Sequence, residues 1–458
     1  MTKLNETMPG SAANSARPAP TVAWYTVMLC MVAYVLAFVD RQIIALLIEP
    51  IQADLEISDT QFSLLTGFAF ALFYAIMGLP IARWADTGPR PLIISAGIVI
   101  WSFATAACGI ARTFVQLFFA RMAVGVGEAA LSPTAYSIIT DSFPKSRLGL
   151  ALGVYSIGAF LGSGLAFIVG GAVIDIVGRM GVIDLPLLGV IKPWQTAFFI
   201  VGIPGVLVGI LFLLTVRDPA RTGLATDEKG ADQAFTIRKV MDYIGGHKPT
   251  FTAHYLGFGL LALSMYALLS WAPAYLMRVY ELSARDAGLY LGTIVLIANT
   301  AGTLTSGWLA DFFTRRGHDD APLRAGIIGG LGVIIPAALF SSMPDLTSSL
   351  LVLAVAFFFA SFPVATSAAG LQLMAPNQMR AQVTALFFLA MNLFGITGGA
   401  TLVAVLTDYV FGDILKVGYS MSVACALSGI CGAATLAWGL RHFSATARKV
   451  AQLAPTKV

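Results

Sequence analysis

Twelve times along this chain an apolar run recurs that is long enough to cross a bilayer, and that repetition constrains the fold more than any other feature. A helix needs about 20 apolar residues to span the hydrocarbon core. The runs fall at about 22–48, 60–82, 91–110, 114–140, 148–172, 194–216, 251–277, 286–310, 323–343, 348–372, 381–407 and 418–443. Composition agrees. Only 11% of residues are charged, against roughly 25% in soluble chains, and mean hydropathy is +0.81. The sequence therefore reads as an all-α polytopic membrane protein. The polar residues 1–21, rich in Ala, Ser and Pro, read as a disordered tail. No cleavable signal peptide is expected, because the first apolar run is too long and lacks a small-residue cleavage site. Cys30, Cys108, Cys425 and Cys431 lie in apolar segments without metal spacing and read as small buried hydrophobes. With four scattered histidines and no nucleotide loop, the chain is not expected to be an enzyme, to hold a metal or cofactor, or to bind nucleic acid.

An even number of spans puts both termini on one side. Basic residues decide which side that is. Placing the termini in the cytoplasm gives 20 Lys and Arg inside and 6 outside, with Arg41 and Arg121 left in the membrane. Both termini are therefore expected to be cytoplasmic. The boundaries that follow are a tail at 1–21, a first six-helix bundle at 22–216, a linker at 217–250, a second bundle at 251–443 and a tail at 444–458. Within the linker, Phe235, Val240, Met241 and Ile244 suit either an amphipathic helix on the inner surface or a plain connector. Gly and Pro in 173–193 predict a hairpin-like excursion.

The two bundles echo one another. Asp86 and Arg90 follow span 2, and Asp311 and Arg315 follow span 8, both pairs offset by 225 residues. Pro133, Pro144 and Arg147 answer loosely to Pro363, Pro376 and Arg380. Six spans per unit make this a parallel repeat. That layout resembles the major facilitator superfamily, in which the substrate site lies between two halves that rock around it. The stretch Ala82-Arg83-Trp84-Ala85-Asp86-Thr87-Gly88-Pro89-Arg90 resembles that superfamily's loop motif, with departures at Ala82, Trp84 and Thr87. Asp86, Arg90, Asp311 and Arg315 are expected to tie helix ends by charge-assisted hydrogen bonds at a cytoplasmic gate, with Arg147 nearby.

Asp40, Arg41, Arg121 and Glu128 fall inside spans 1 and 4. Charge at bilayer depth costs several kcal/mol, so these groups should face a polar cavity or one another. At a rise of about 1.5 Å per residue, Asp40 and Arg121 lie roughly 10–12 Å from the outer surface, and Glu128 about 10 Å deeper. Asp40 and Arg121 could therefore pair. Arg121 and Glu128, two turns apart, share a helix face. Burial and a neighbouring cation act in opposite directions on a carboxyl's proton affinity, which makes Asp40 or Glu128 a candidate proton carrier. Fixed salt bridges are the plainer alternative. Spans 7, 10, 11 and 12 carry no charge well inside them; Tyr266, Phe362, Thr366, Phe388 and Asn392 are candidate cavity-lining residues there. A cavity charged on one wall and apolar on the other suits an amphiphile.

The segment from "FVDRQ" to "IARWAD", and "RMAVGVGEAALSPTAYSIITDSFP" in span 4, closely resemble the spinster-like branch of the superfamily. The resemblance implies lipid transport across a bacterial inner membrane, of the sphingosine-1-phosphate or lysophospholipid type. It implies coupling or head-group roles for Asp40, Arg41 and Glu128, and brings Asp141 into the gate set. The Gly-Pro pair of the antiporter signature is absent from span 5, where Gly153, Gly158, Gly162 and Gly164 stand without proline. The expected function is a proton-coupled lipid transporter that acts as a monomer by alternating access. The alternatives are a proton-coupled carrier of small organic anions, and an uncoupled facilitator or lipid-binding protein.

Overall fold

The computed structural model describes residues 18–186, 189–221, 237–376 and 379–453. Among these, twelve helices are long and apolar enough to cross a membrane. They are span 1 Pro20–Leu46, span 2 Asp59–Thr87, span 3 Arg90–Cys108, span 4 Phe114–Ser142, span 5 Arg147–Met180 and span 6 Pro193–Thr215. The second six are span 7 Lys248–Val279, span 8 Ala284–Arg315, span 9 Ala321–Ser342, span 10 Leu346–Met374, span 11 Gln382–Phe411 and span 12 Ile414–Gln452. The start of span 1 lies against the start of span 5, and Thr250 of span 7 bonds Thr446 of span 12 at 2.8 Å. That face carries the linker and is called the linker side; the other is the far side.

Spans 5 and 12 outrun the apolar runs that announced them. In span 5 an Arg179–Asp175 pair at 2.9 Å supports the extra turns, and Gly181, at φ +70°, ends the helix. The chain then makes a two-stranded antiparallel hairpin, Ile183–Leu185 with Gly189–Ile191. Span 12 continues because Phe443 stays buried on the face turned to Phe251 and Val240. Residues Ile237–Gly246 of the linker are helical. Val240 is buried and the Tyr243 hydroxyl donates to the Met374 carbonyl at 2.9 Å, while Met241 is exposed. This helix docks on spans 7 and 10. Phe235 lies outside the described residues.

The repeat shows again in the far-side turns. Among the described residues, Glu56 and Glu281, offset by 225, are the two non-glycine residues with positive φ, both at 52°. Each is followed two residues on by a serine that caps the next helix: Ser58 accepts from the Gln61 amide, and Ser283 from the Asp286 amide. A left-handed residue followed by a serine cap turns the chain sharply into span 2 and into span 8 alike.

Between the two sets of six, span 5 packs on span 8 and span 2 on span 11. A six-span shift exchanges these seams. A Cβ on Gly292 would stand 2.6 Å from the Gly164 carbonyl oxygen, so glycine lets spans 5 and 8 touch backbone to backbone. Spans 2, 8 and 11 carry π-turns at Leu64–Phe68, Val295–Asn299, Asn392–Thr397 and Leu406–Phe411. Such turns break the regular hydrogen-bond ladder and are frequent at functional sites.

Candidate functional site

Adjacent helical residues point about 100° apart, and this separates Asp40 from Arg41. Arg41 reaches span 4, where its Nη2 donates to Glu128 Oε2 at 2.5 Å. Its guanidinium also stands 4.4 Å from the centre of the Phe70 ring, 4.9 Å from Phe38 and 5.5 Å from Tyr74. The Glu128 side chain is 1% exposed and Arg41 is 12% exposed, so the pair opens on Arg41's side. Asp40 points to span 3, beside Trp101 and Thr105.

The Asp40–Arg121 carboxylate pair suggested by their depth does not form. The two residues do meet, but Arg121 Nη1 donates to the Asp40 backbone carbonyl at 3.2 Å and its Nε to the Leu65 carbonyl at 3.4 Å. Leu65 belongs to the π-turn of span 2, where the broken ladder leaves carbonyls for such a donor. Four buried atoms of the cluster have no hydrogen-bond partner among the described residues: Asp40 Oδ1, Arg41 Nε, Arg121 Nη2 and Glu128 Oε1. Buried polar groups are ordinarily satisfied. A cluster left this way can take up a proton, a water or a ligand's polar group.

Tyrosines surround this charge, and hydropathy gave them no weight. Tyr34 and Tyr155 stack at 4.9 Å, Tyr136 meets Tyr155 edge-on at 5.3 Å, and the Tyr155 hydroxyl lies 3.2 Å from Ser132 Oγ. Tyr266 comes from span 7 of the second six and stands beside Arg41 and Tyr74. The available signal was spacing: Tyr34 precedes Arg41 by seven residues, two turns along one face.

The other candidates from the second six divide. Phe362 and Thr366 are buried inside that half, Phe362 against Gly329 of span 9. They belong to its packing and do not line the space between the halves. A Thr hydroxyl can satisfy itself within its own helix, as Thr366 does on the Phe362 carbonyl at 2.7 Å. Asn392 is half-buried at the head of a π-turn, and Phe388 is 50% exposed.

On the linker side Arg90 is buried and holds Asp141 at 2.5 Å, Ser137 at 2.9 Å, Asp218 at 2.7 Å and the Pro219 carbonyl at 2.7 Å. All these partners belong to the first six spans or to the segment that follows them. Asp86, Arg147, Asp311 and Arg315 are exposed and form no ion pair among the described residues. Arg90, at the head of span 3, thus ties that helix to span 4 and to the segment after span 6, whereas Asp86, near the end of span 2, takes no part in these bonds.

Among the described residues, the side-chain bonds that join the two halves lie on the far side. Arg278 of span 7 donates to both carboxylate oxygens of Asp59, at 2.7 and 2.8 Å, to Gln52 at 2.8 Å and to Glu49 at 2.6 Å. The Asp59 and Arg278 side chains are only 2% and 3% exposed. Asp408, in a π-turn of span 11, accepts from the Thr60 amide at 2.7 Å and the Thr60 hydroxyl at 2.6 Å. Sequence reasoning counted Arg278 only as an outside charge. Among the described residues, the halves are thus clasped on the far side, and no such clasp joins them on the linker side.

The Major Facilitator Superfamily profile matches residues 30–400, and the chain belongs to that family. Curated relatives include an MFS-type efflux pump of Mycolicibacterium smegmatis, 28% identical over 87% of both chains. A D-galactonate transporter of Escherichia coli is 25% identical over 91% of this chain and 96% of its own. A sphingosine-1-phosphate transporter of Xenopus tropicalis is 28% identical over 66% of this chain and 58% of its own. Among solved structures, a bacterial homologue of the human lysosomal transporter spinster, inward-facing and unoccupied, superposes with TM-score 0.77 at 26% identity, covering 95% of this chain and 99% of that one. Within the family, the chain is similar to spinster-type members.

Proposed function

We propose that this transporter moves an amphipathic lipid of the sphingolipid or lysophospholipid type across the bacterial inner membrane by alternating access, driven by protons. The observation that carries this reading is the buried Arg41–Glu128 pair with the unpartnered Asp40 oxygen behind it. An anionic head group that takes Arg41 releases Glu128; protonating Glu128 or Asp40 removes a charge from the same cluster. Tyr266 links this event to the second half, whose spans 7 and 11 offer Tyr266, Phe388 and Asn392 as an uncharged wall to an acyl chain. Arg121 is the positioning residue that holds span 1 to spans 2 and 4 through backbone carbonyls.

In this reading 22–216 and 251–443 are the rocking halves, the linker side is cytoplasmic as the basic residues indicate, and the monomer is the working unit. Asp86, Arg147, Asp311 and Arg315 then tighten a cytoplasmic gate only in the opposite state, while the Arg90–Asp141 pair braces the first half. A second reading, proton-coupled transport of a small organic anion, draws on the galactonate transporter and on a guanidinium suited to any carboxylate.

The test is flux of labelled lysophospholipid or sphingosine-1-phosphate in proteoliposomes, with and without a pH gradient, for wild type and Asp40→Asn. Gradient-driven lipid flux that the variant loses supports the proposal. Flux indifferent to the gradient leaves an uncoupled facilitator. No lipid flux, with D-galactonate carried instead, selects the anion reading.

A further inference from the structure

The start of span 9 and the end of span 12 bound an open groove of about 450 Å³ on the linker side, apart from the central charge cluster. Span 12 contributes Ala437, Arg441, Ser444, Ala445 and Arg448, whose spacing places them on one helical face. Arg324 of span 9 faces them. Three guanidinium groups and the Asp320 carboxylate thus border a floor of Ala437, Leu440, Ser444 and Ala445. Arg324 is held by Asp320 at 2.6 Å and Arg448 by Asp319 at 2.5 Å. Both pairs are solvent-exposed on the arginine side, where such pairs are weak. Arg441 makes no ion pair with a described residue.

The groove's depth in the membrane follows from the helix. The span 12 helix has 37 residues, about 55 Å, whereas the hydrocarbon core is about 30 Å thick. Trp438 is 53% exposed, and tryptophan favours the membrane interface. Arg441 and Arg448 follow it by one and about three turns, at head-group level. On the membrane side of the groove, Ile328, Leu331 and Ile335 repeat on the face of span 9 that carries Arg324, and are 38%, 54% and 68% exposed. Cationic groups at the mouth and an apolar track leading into the membrane match a charged head and an acyl tail.

We propose that this groove binds an anionic phospholipid, with Arg324, Arg441 and Arg448 donating to its phosphate. The site is independent of the transported substrate. Guanidinium forks suit phosphate oxygens bidentately, and basic pockets between membrane helices are known to hold anionic head groups.

The experiment is native mass spectrometry of the full chain in detergent with added phosphatidylglycerol or phosphatidylcholine. Five proteins are compared: wild type, the triple variant Arg324→Gln/Arg441→Gln/Arg448→Gln, the single variants Arg441→Gln and Arg441→Lys, and Asp319→Asn, which frees Arg448. The expected result is phosphatidylglycerol retention weakened roughly tenfold in the triple variant and strengthened in Asp319→Asn, with phosphatidylcholine unchanged. Equal melting temperatures keep misfolding out of the comparison, and Arg441→Lys should restore part of the retention lost in Arg441→Gln. Unchanged phosphatidylglycerol retention in the triple variant overturns the proposal. So does displacement of the lipid by excess inorganic phosphate, which would make this a phosphate site.

Discussion

The two ends of the molecule use the same residue types to opposite effect. On the far side, Arg278 crosses from one half to the other and satisfies Asp59, Gln52 and Glu49. On the linker side, Arg90 makes as many bonds, but all within the first half and the segment leaving it. Burial is similar, since both arginine side chains are at most 3% exposed. Stability is therefore not what separates them. A buried charge that stays within one rigid half reinforces that half in every state, whereas one that crosses the seam favours only the state in which the halves meet there. Span ends rich in charge are not in themselves gates; the assignment depends on which half supplies the partner.

Three changes would break or sharpen that contrast. The largest effect is expected from Arg278→Ala, which leaves Asp59 buried without its cation. Removing one member of a buried pair costs about 3–5 kcal/mol, here charged to the far-side-closed state alone. Spin labels on the far-side turns at Glu56 and Glu281 should then report a longer distance, and an unchanged distance would end the claim that this cluster is a clasp. Asp408→Asn keeps an acceptor for Thr60 but removes its charge, for an expected loss of about 1–2 kcal/mol. The same labels should show a smaller shift in the same direction. The smallest effect is expected from Asp218→Ala, because Asp218 is 32% exposed and Arg90 keeps Asp141, Ser137 and the Pro219 carbonyl, for a loss of about 1 kcal/mol. Melting should move slightly while the far-side distance stays put; a change of that distance would mean that the linker-side cluster also sets the state.

Much of the fold was written in the sequence because hydropathy is a one-dimensional signal. Twelve apolar runs yield twelve spans, and a 225-residue offset found at Asp86 and Asp311 returns at Glu56 and Glu281. Partnership was harder to read. Depth brought Arg121 to Asp40 correctly but could not choose between a carboxylate and a backbone carbonyl, because that choice depends on the π-turn at Leu65, which has no hydropathy signature. Residue chemistry nominated Phe362 as a cavity wall, while helix rotation set it against Gly329. Arg278 was overlooked because a charge near a span end looks topogenic, and only the third dimension shows that it enters the opposite half.

The anchoring of the linker has a mechanical consequence. At one end Arg221 holds the Ala85 and Gly88 carbonyls at the close of span 2, at 3.1 and 2.7 Å. At the other, the helix beginning at Ile237 is pinned by Val240 and Tyr243 to the second half. Sixteen residue steps separate Arg221 from Ile237, and even a fully extended chain covers at most about 55 Å over that count. That length alone caps how widely the two halves can part on that side, and shortening it would lower the cap before touching any residue of the site.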